Sequence, residues 1–560
     1  MRSFIQNSPE YALYQVPTEW RSGARICNLY PPIPRHTRHV DFDIYDFEML
    51  FSDQATIELI KSGKTIGCFY IESPGMRSLL RRLDVQTFEM LTAASSIIRP
   101  GVAESGMMQE FIARHKDPSK RKYLIPKMEE HLSETYGVMI YQEDVIKVAH
   151  HIAGLTLEEA DLLRRAMSGK MRSHKAMEQI MHKFFLSSQN KGLTDEQAKE
   201  LWRQIESFAG YSFCKAHSAS FALLSFQVAF LKAHYPAEFM ASVLSNGGGF
   251  YSPAVYIQES KRLRLEVKLP CINESEYEYT GRGRVLRIGL MAIKNLSRTS
   301  IEKIISERGE NGKYVSLADF LIRTQLGYEE TALLIKCGAM HCFKITRPTL
   351  LRLLDVYIHH RKILNENYND LFINDTFALE RDITTDVNYS AEEICRNEYE
   401  AFSYMVTRHP LNFFSEWLND TRIVKAKDMG KYRGKNARMI GWYMTSKRIR
   451  TKKGGIMKFL SLEDLTGTFE AVIFPKVYYG VAELTMSMGP YLVEGRIDTY
   501  DPTNIVVENL RVLTFLWIKA DEMKDSVDHN YYGDKEKISE EEFDIVNSLG
   551  KEKLLRAYAG

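Results

Sequence analysis

The sequence has no paired-cysteine motif and no long apolar run. Its seven cysteines are scattered over 560 residues without a Cys-x-x-Cys pair. This argues against a disulfide framework and a zinc knuckle, and it fits a reducing cytoplasm. The richest apolar run, residues 221–231, is far shorter than the ~20 residues that a membrane span needs. Residues 1–20 also lack the apolar core of a signal peptide, so we expect a cytoplasmic protein without a membrane segment.

The chain also lacks an excess of charge of either sign. It has 74 Lys and Arg residues against 72 Asp and Glu residues, a net charge of +2. This balance excludes a histone-like polycation, so any nucleic-acid contact must come from local basic patches. Hydrophobic residues make up 44% of the chain, which is enough for real cores. At about 150 residues per domain, the length predicts roughly four domains.

Changes in residue pattern divide the chain into six parts. Residues 1–50 are irregular and rich in proline, and residues 51–250 read as helical. Short strands and helices alternate over 251–358, with a capping box at Thr299 and Glu302, and a polar linker covers 359–419. Five β-branched or alternating segments in 420–516 predict a small barrel, and 517–560 form a charged tail. The fold class is therefore α+β and multidomain.

Local signals mark helix boundaries within the helical part. Thr156 with Glu159 and Thr194 with Gln197 form capping boxes, in which each side chain satisfies a free amide of the first helical turn. The stretch 218–244 is apolar on nearly all sides, which is typical of a buried helix. Its Tyr235-Pro236 step predicts a break into two helices.

Four long segments carry a family resemblance. They are TIGCFYIESPGMRSLLRRL (65–83), IIRPGVAESGMMQEFIARHK (97–116), YGVMIYQEDVIKVAHHIAGLTLEEADLLRRAMSGK (136–170) and FAGYSFCKAHSASFALLSFQVAFLKAHYPAEFMASVLSN (208–246). In this order they resemble the bacterial C-family DNA polymerases, the alpha subunits of DNA polymerase III. Residues 249–253 (GFYSP) are similar to the error-prone branch. The resemblance covers about residues 45–515. It implies a helical fingers domain, a tandem helix-hairpin-helix region and a C-terminal OB-fold, and a role in DNA replication or translesion repair.

The family's catalytic palm has no counterpart in this sequence. The resemblance places a phosphoesterase-like domain, a thumb and the palm before the fingers, where only about fifty residues stand. Polymerases hold two Mg²⁺ ions with clustered aspartates, and Asp41-Phe-Asp43 superficially looks like such a pair. It lies too close to the fingers segment, so we interpret Asp41 and Asp43 as turn residues of a palm–fingers connector. No catalytic residue or metal ligand is assigned, and the Mg²⁺ ligands are expected outside this chain.

Two basic segments are candidates for binding the incoming nucleotide. Arg164, Arg165 and Lys170 lie on or just after one helix, and the resemblance implies contact with the triphosphate. The alternative is a basic helix face that pairs with Asp161 at helical spacing. Lys215 and His217 precede a buried helix; by resemblance they border the sugar and phosphates, where helix N-terminal amides also favour an anion. The alternative for His217 is a structural histidine.

Two further regions are candidates for binding DNA. A helix-hairpin-helix motif presents glycine amides to phosphates, but here the hairpin reads Asn295-Leu-Ser297, which removes the easy positive φ of glycine. Lys294 and Arg298 would then supply the contact. In the barrel, aromatic and cationic side chains share one hairpin, a combination that holds single strands. Of Trp442 and Tyr443, which face opposite sides of a strand, at least one is expected in the core. The barrel candidates are Trp442, Lys447, Arg448, Arg450, Lys452 and Lys453.

The expected partners follow from the resemblance. They are a DNA primer-template, a single-stranded template, deoxynucleoside triphosphates and a separate palm-containing chain. Residues Tyr368–Phe372 are similar to a degenerate sliding-clamp peptide. The alternative function is a noncatalytic DNA-binding or scaffold protein, in which only the hairpin and barrel modules act, or a decayed polymerase fragment.

Overall fold

The fold was analysed in a computed structural model, which describes residues 42–98, 106–167, 174–207, 214–359, 387–451 and 453–513. Residues 42–50 are the described part of a first unit that ends at Leu50. They form a turn, closed by the Asp46 amide on the Asp43 carbonyl at 3.0 Å, and the start of helix α1, Phe47–Ser52. All other described residues belong to a second unit.

The second unit begins with a helical region. Its helices are α2 Gln54–Lys61, α3 Pro74–Leu83, α4 Phe88–Ile97, α5 Met107–Lys116, α6 Met128–Leu132, α7 Gln142–Lys147, α8 Leu157–Met167, α9 His174–Asn190, α10 Asp195–Ser207, α11 Lys215–His234, α12 Pro236–Asn246 and α13 Pro253–Arg262. A π-helical turn, Val148–Ile152, continues α7. Helix α11 packs between α4 and α2 and positions the region's core. The predicted helical character of this region is confirmed.

The local signals of the sequence fall where the helices begin and end. Thr156 and Glu159 exchange the two hydrogen bonds of a capping box at 3.0 and 3.2 Å, and Thr194 and Gln197 do the same. Helix α11 ends at His234, and α12 begins at Pro236. Proline has no amide hydrogen, so α11 cannot continue through Pro236. In the first turn of a new helix that hydrogen has no partner within the helix, so proline is tolerated there.

The last turn of α11 buries a charge that its apolar sequence did not predict. Lys232 is 1% exposed. Its Nζ donates to the carbonyls of Lys64 and Ile66 at 2.8 and 2.7 Å and to Glu259 Oε1 of α13 at 2.7 Å. Glu259 also accepts from Arg262 Nε at 3.0 Å, and Arg262 Nη1 donates to Glu463 at 2.7 Å. The ammonium is therefore satisfied inside the protein, as a buried cation must be.

A small mixed region follows α13. Strands β1 Glu266–Lys268, β2 Thr280–Arg282 and β3 Val285–Arg287 form a sheet in the order β1-β3-β2, with β1 parallel and β2 antiparallel to β3. Helices α14 Arg298–Asn311, α15 Leu317–Thr324, α16 Tyr328–Lys336 and α17 Arg347–His359 complete it. Helix α14 begins at the Ser297 N-cap, whose hydroxyl accepts from the Ser300 amide. The predicted Thr299–Glu302 capping box is therefore wrong, because Ser297 takes the cap position two residues earlier.

Strand β2 lies so close to helix α12 that only glycine fits at position 281. A Cβ on Gly281 would stand 2.0 Å from the carbonyl oxygen of Ala237. We expect Gly281→Ala to lower the free energy of unfolding by roughly 1–3 kcal/mol, because backbone must shift to admit the methyl group. Gly309→Ala is the matched control: nothing lies within 4 Å of its Cβ, and in helix α14 it should stabilise by roughly 0.5–1 kcal/mol. Chemical denaturation of both variants checks this, and equal stabilities would contradict it.

The C-terminal described part is a closed five-stranded barrel. Two helices precede it, α18 Ala391–Phe402 and α19 Ser415–Leu418. The strands are β4 Asn436–Arg450, β5 Ile456–Glu463, β6 Thr468–Ile473, β7 Tyr491–Ile497 and β8 Asn504–Val512, and helix α20 Pro475–Val481 lies between β6 and β7. The barrel closes in the order β4-β5-β6-β8-β7. The β6–β8 pair is parallel and the other pairs are antiparallel. This confirms the predicted barrel and is consistent with an OB-fold. Its core includes Met439, Leu460, Leu462, Phe469, Tyr491, Val493, Ile505 and Val507.

Helix α18 was not predicted, although its start carries a clear signal. Ser390 and Glu393 form a capping box in which each side chain accepts from the other residue's amide, at 3.2 and 2.8 Å. Its polar composition favours a linker, and the helix instead lies within residues 359–419 of that predicted linker. No helix among the described residues is long and apolar enough to cross a membrane.

Candidate nucleotide and nucleic-acid sites

The start of helix α7 brings two of the predicted nucleotide-binding segments together. Gln142 Oε1 accepts from Arg164 Nη1 of α8 at 3.0 Å. The next residue, Glu143, accepts from the backbone amide of Lys215, the first residue of α11, at 2.9 Å. Arg164 and Lys215, 51 positions apart in the sequence, therefore flank one helix start.

Arg164 and Arg165 share one carboxylate partner. Asp161 Oδ1 lies 2.7 Å from Arg164 Nη2, and Asp161 Oδ2 lies 2.7 Å from Arg165 Nε. Partial burial works to raise the pKa of Asp161, but the hydrogen bonds and charges of the two arginines outweigh it and lower that pKa. The helix-face pairing considered as the alternative is thus present. This pairing does not prevent the arginines from binding a ligand, because the Arg165 side chain is 61% exposed and exposed ion pairs are weak.

The amide at the N-terminus of α11 already has an anionic partner from the protein. Because the Lys215 amide donates to Glu143, a carboxylate occupies a position where a helix end favours an anion. The Lys215 ammonium projects elsewhere and lies 2.7 Å from Glu134 Oε2 in an exposed pair. In this structure the backbone amide of Lys215 is therefore occupied by Glu143, and nucleotide contact by the Lys215 side chain stays a prediction.

The remaining predicted nucleotide-binding residues are His217 and Lys170. The ring of His217 packs against Phe221 one turn further along α11, with centroids 4.3 Å apart. Its neighbour Ser218 is buried against Ser96 of α4 at 2.7 Å. Lys170 lies outside the described residues.

A buried carboxylate fixes the chain that leads into α7. Asp144 Oδ2 accepts from the amides of Ile140 and Tyr141 at 2.9 Å each. Burial raises the pKa of Asp144 to about 6, against these hydrogen bonds. Gln142, Glu143 and Asp144 thus position Arg164, Lys215 and the start of α7, and none of these three residues is among the predicted site residues. Their signal was the polar run YQED inside a segment that resembles the fingers.

The first hairpin of the mixed region keeps its turn without glycine. Asn295 adopts φ of +62°, a left-handed conformation that asparagine tolerates better than most residues. The hairpin therefore keeps a positive φ although both glycines of the family pattern are absent. The Ser297 amide, however, donates to Glu330 Oε1 of α16 at 3.1 Å, and the Ser300 hydroxyl donates to Glu330 Oε2 at 2.8 Å. A carboxylate of the protein thus binds this hairpin amide.

Lys294 and Arg298 lie at the surface on either side of this hairpin. The Lys294 amide donates to the Ala401 carbonyl at 2.8 Å, which fixes the hairpin against helix α18. Arg298 pairs with Glu302 at 2.8 Å, and its side chain is 75% exposed. Both side chains are therefore accessible to a phosphate backbone.

The β4–β5 hairpin of the barrel carries several cationic side chains at the protein surface. Lys447, Arg450 and Lys453 are exposed, Arg448 is half-buried, and Lys452 lies outside the described residues. Tyr443 packs against the barrel core, whereas Trp442, on the opposite face, is half-buried across from Glu463. The prediction that one of the two aromatic residues joins the core is confirmed.

The acidic residues near the start of the described chain act as turn and helix caps. Asp43 accepts from the Tyr45 amide at 2.9 Å, Asp46 from the Met49 amide at 3.1 Å, and Asp53 from the Thr56 amide at 2.8 Å. Asp41 lies outside the described residues. Across the described ranges, no group of three or more His, Cys, Asp or Glu side chains is arranged to hold a metal ion. The residues described do not fit a Mg²⁺ site.

Comparison with known proteins agrees with this architecture. Residues 33–192 match the family model of the bacterial DNA polymerase III alpha subunit finger domain, and residues 264–350 match a helix-hairpin-helix motif. The DNA polymerase III subunit alpha of Staphylococcus aureus (strain COL) is 32% identical over 459 residues, which are 80% of this chain and 41% of that protein. The subunit of Aquifex aeolicus (strain VF5) is 32% identical over 464 residues, or 81% of this chain and 38% of that protein. The chain thus spans about two fifths of the length of these relatives.

Proposed function

We propose that this chain, which is homologous to the bacterial DNA polymerase III alpha subunits, contributes the nucleotide- and DNA-binding half of a DNA-directed DNA polymerase. In this role Arg164, Arg165 and Lys215 bind the triphosphate of an incoming deoxynucleotide, with Lys170 and His217 beside them. The hairpin and barrel hold the primer-template and the single-stranded template.

The observation that carries the proposal is the convergence of Arg164 and Lys215 on the start of helix α7. Guanidinium and ammonium groups bind phosphate oxygens by charge-assisted hydrogen bonds. Their present partners, Asp161 and Glu134, form partly exposed pairs, which a triphosphate of higher charge can replace.

Nucleotidyl transfer also needs a palm that holds Mg²⁺. When bound there, Mg²⁺ activates the primer hydroxyl and stabilises the leaving pyrophosphate. The described residues do not supply its ligands, so the palm carboxylates are proposed to come from a separate or adjoining palm-containing polypeptide. A sliding-clamp contact through Tyr368–Phe372, which lie outside the described residues, stays a prediction.

The test is primer extension with Mg²⁺ by this chain reconstituted with any palm-containing product of an upstream reading frame. We expect Arg164→Gln and Lys215→Gln each to raise the KM for deoxynucleotides about tenfold, as for the loss of one charge-assisted hydrogen bond. Arg203→Gln is the matched control, because Arg203 forms an exposed pair with Glu200 on α10. No extension by the complex, or equal KM values in all three variants, would refute the proposal.

A noncatalytic DNA-binding protein is the second candidate, favoured by the exposed cations of the β4–β5 hairpin. It predicts single-strand binding whose log affinity falls steeply with log salt concentration. It also predicts that Arg164→Gln leaves ternary binding of DNA and nucleotide unchanged. Loss of nucleotide-dependent binding in that variant would exclude this candidate.

A further inference from the structure

A cleft of about 430 Å³ separates helices α3 and α13 from the barrel. One wall comes from the helical region and the other from the β5–β6 turn and the start of β8. Four cations and two acids provide its charged lining: Lys64, Arg77, Arg81, Arg262, Glu259 and Glu470. Asp501 and Glu463, next to this lining, pair with Arg81 and Arg262, so Arg77 is the lining arginine that forms no ion pair with a described residue.

Arg77 spans this cleft without a carboxylate partner. Its Nε donates to the Gly63 carbonyl at 2.8 Å, its Nη2 to the Thr468 hydroxyl at 2.8 Å and its Nη1 to the Tyr251 hydroxyl at 3.5 Å. All three acceptors are neutral, and within the described ranges no carboxylate lies at ion-pair distance. Arg77 is half-buried, and its charge works to lower the pKa of Glu259 and of Glu470. Its hydrogen bonds, however, all go to neutral oxygens, which leaves the guanidinium able to bind an oxyanion in the cleft.

Two further guanidinium groups at the cleft have unused donors. Arg81 donates through Nη2 to Asp501 and Thr503 at 3.1 and 2.7 Å, and Arg262 donates through Nε and Nη1 to Glu259 and Glu463. Arg81 Nε and Arg262 Nη2 are buried, and no described residue accepts a hydrogen bond from either. A buried donor without an acceptor destabilises the folded chain. An anion with several oxygens would supply the missing acceptors.

Glu470 adjusts the charge of the cleft near neutral pH. Burial, followed by the charge of Asp501, raises the pKa of Glu470 to about 7, while Arg77 and Arg81 oppose this rise. The Ser461 hydroxyl also contacts Glu470. Protonation of Glu470 removes one negative charge from the cleft, while Asp501 stays paired with Arg81, and Glu259 and Glu463 stay paired with Arg262.

We propose that this cleft is an oxyanion site whose ligand is a phosphate group, bound by Arg77 together with the free N–H groups of Arg81 and Arg262. The phosphate comes from free phosphate or pyrophosphate, or from the backbone of a nucleic-acid strand. The site lies apart from the α7–α11 candidate site, and it does not depend on the proposed polymerase function.

The test is calorimetric titration of the full chain with inorganic phosphate, with pyrophosphate and with a short oligothymidylate. We expect Arg77→Gln to weaken binding about tenfold. The matched control is Arg82→Gln, on the same helix but away from the cleft lining. Sensitivity to Arg77→Gln with the inorganic anions identifies a free phosphate ligand. The same sensitivity with the oligonucleotide alone identifies a strand phosphate, and either result supports the site.

A second variant keeps the proposal testable if Arg77→Gln fails to fold. Glu470→Gln removes the negative charge, so at pH 8 it should bind the same probe several-fold more tightly than the unmodified chain. The ratio of the two affinities should approach one at pH 6, and this ratio cancels the ionisation of the ligand itself. No binding of any probe, or Arg77→Gln binding as tightly as Arg82→Gln, would overturn the proposal. Loss of primer extension with phosphate binding intact would count only against the polymerase function.

Discussion

Lys232→Met should lower the free energy of unfolding by about 3–5 kcal/mol, the loss expected when one partner of a buried ion pair is removed. Methionine fills a similar volume but leaves Glu259 and the carbonyls of Lys64 and Ile66 without the donor that now lies 2.7–2.8 Å away. Despite burial, the charges of Lys232 and Arg262 lower the pKa of Glu259 to about 2. The contribution of Glu259 is therefore complete above about pH 4.5 and is lost as the pH falls toward 2.

Urea denaturation compares this variant with an exposed control. Lys61 pairs with Asp84 at 3.2 Å, with side chains 36% and 53% exposed, so Lys61→Met should cost less than about 1 kcal/mol. The double variant Lys232→Met with Glu259→Gln should lose less than the sum of its single changes, because both act on one interaction. Equal effects of the two lysine substitutions would contradict the prediction.

Glu470→Gln should raise the free energy of unfolding by about 2–3 kcal/mol at pH 8. The pKa of Glu470 is raised from 4.5 to about 7 in the folded chain, so the folded state holds this proton more tightly than the unfolded state. Stability at this position is therefore greatest below about pH 4.5 and decreases as the pH rises toward 7. Each pKa unit corresponds to about 1.4 kcal/mol, and glutamine cannot ionise, so it avoids this loss.

The pH profile distinguishes this effect from a simple packing gain. The stabilisation by Glu470→Gln should disappear by about pH 4, where the carboxyl is protonated in both the folded and the unfolded chain. Glu483→Gln, an exposed position of the same barrel, should change stability by less than about 0.5 kcal/mol at either pH. A gain that is independent of pH would show that ionisation of Glu470 is not its cause.

Local sequence signals predicted the helix boundaries because the interactions involved are local. The Thr156–Glu159 capping box and the break at Pro236 each depend on residues within one helical turn. The barrel was predictable for a similar reason, since β-branched alternation specifies strands. The resemblance to the DNA polymerase III alpha subunits is confirmed by the finger-domain and helix-hairpin-helix matches.

Most of the charged sites were not predictable, because their partners lie far away in the sequence. Arg77 meets Thr468 across 391 positions, and Lys232 reads as one polar residue in an apolar helix until Glu259 packs against it. At the first hairpin both Ser297 and Thr299 are residues that can cap a helix, and the structure shows that the Ser297 hydroxyl accepts from the Ser300 amide and begins helix α14. Sequence identified which residues are basic, but not which of them already have acidic neighbours.

Helix α11 connects two distant parts of the fold. Its first residue, Lys215, lies at the candidate nucleotide site, and Lys232 in its last turn is fixed by three hydrogen bonds. At 1.5 Å per residue these positions are about 26 Å apart on one stiff rod. From Lys232 the hydrogen bonds continue through Glu259 to Arg262 and on to Glu463 of the barrel. One helix and one chain of charged hydrogen bonds thus connect the candidate nucleotide site to the barrel.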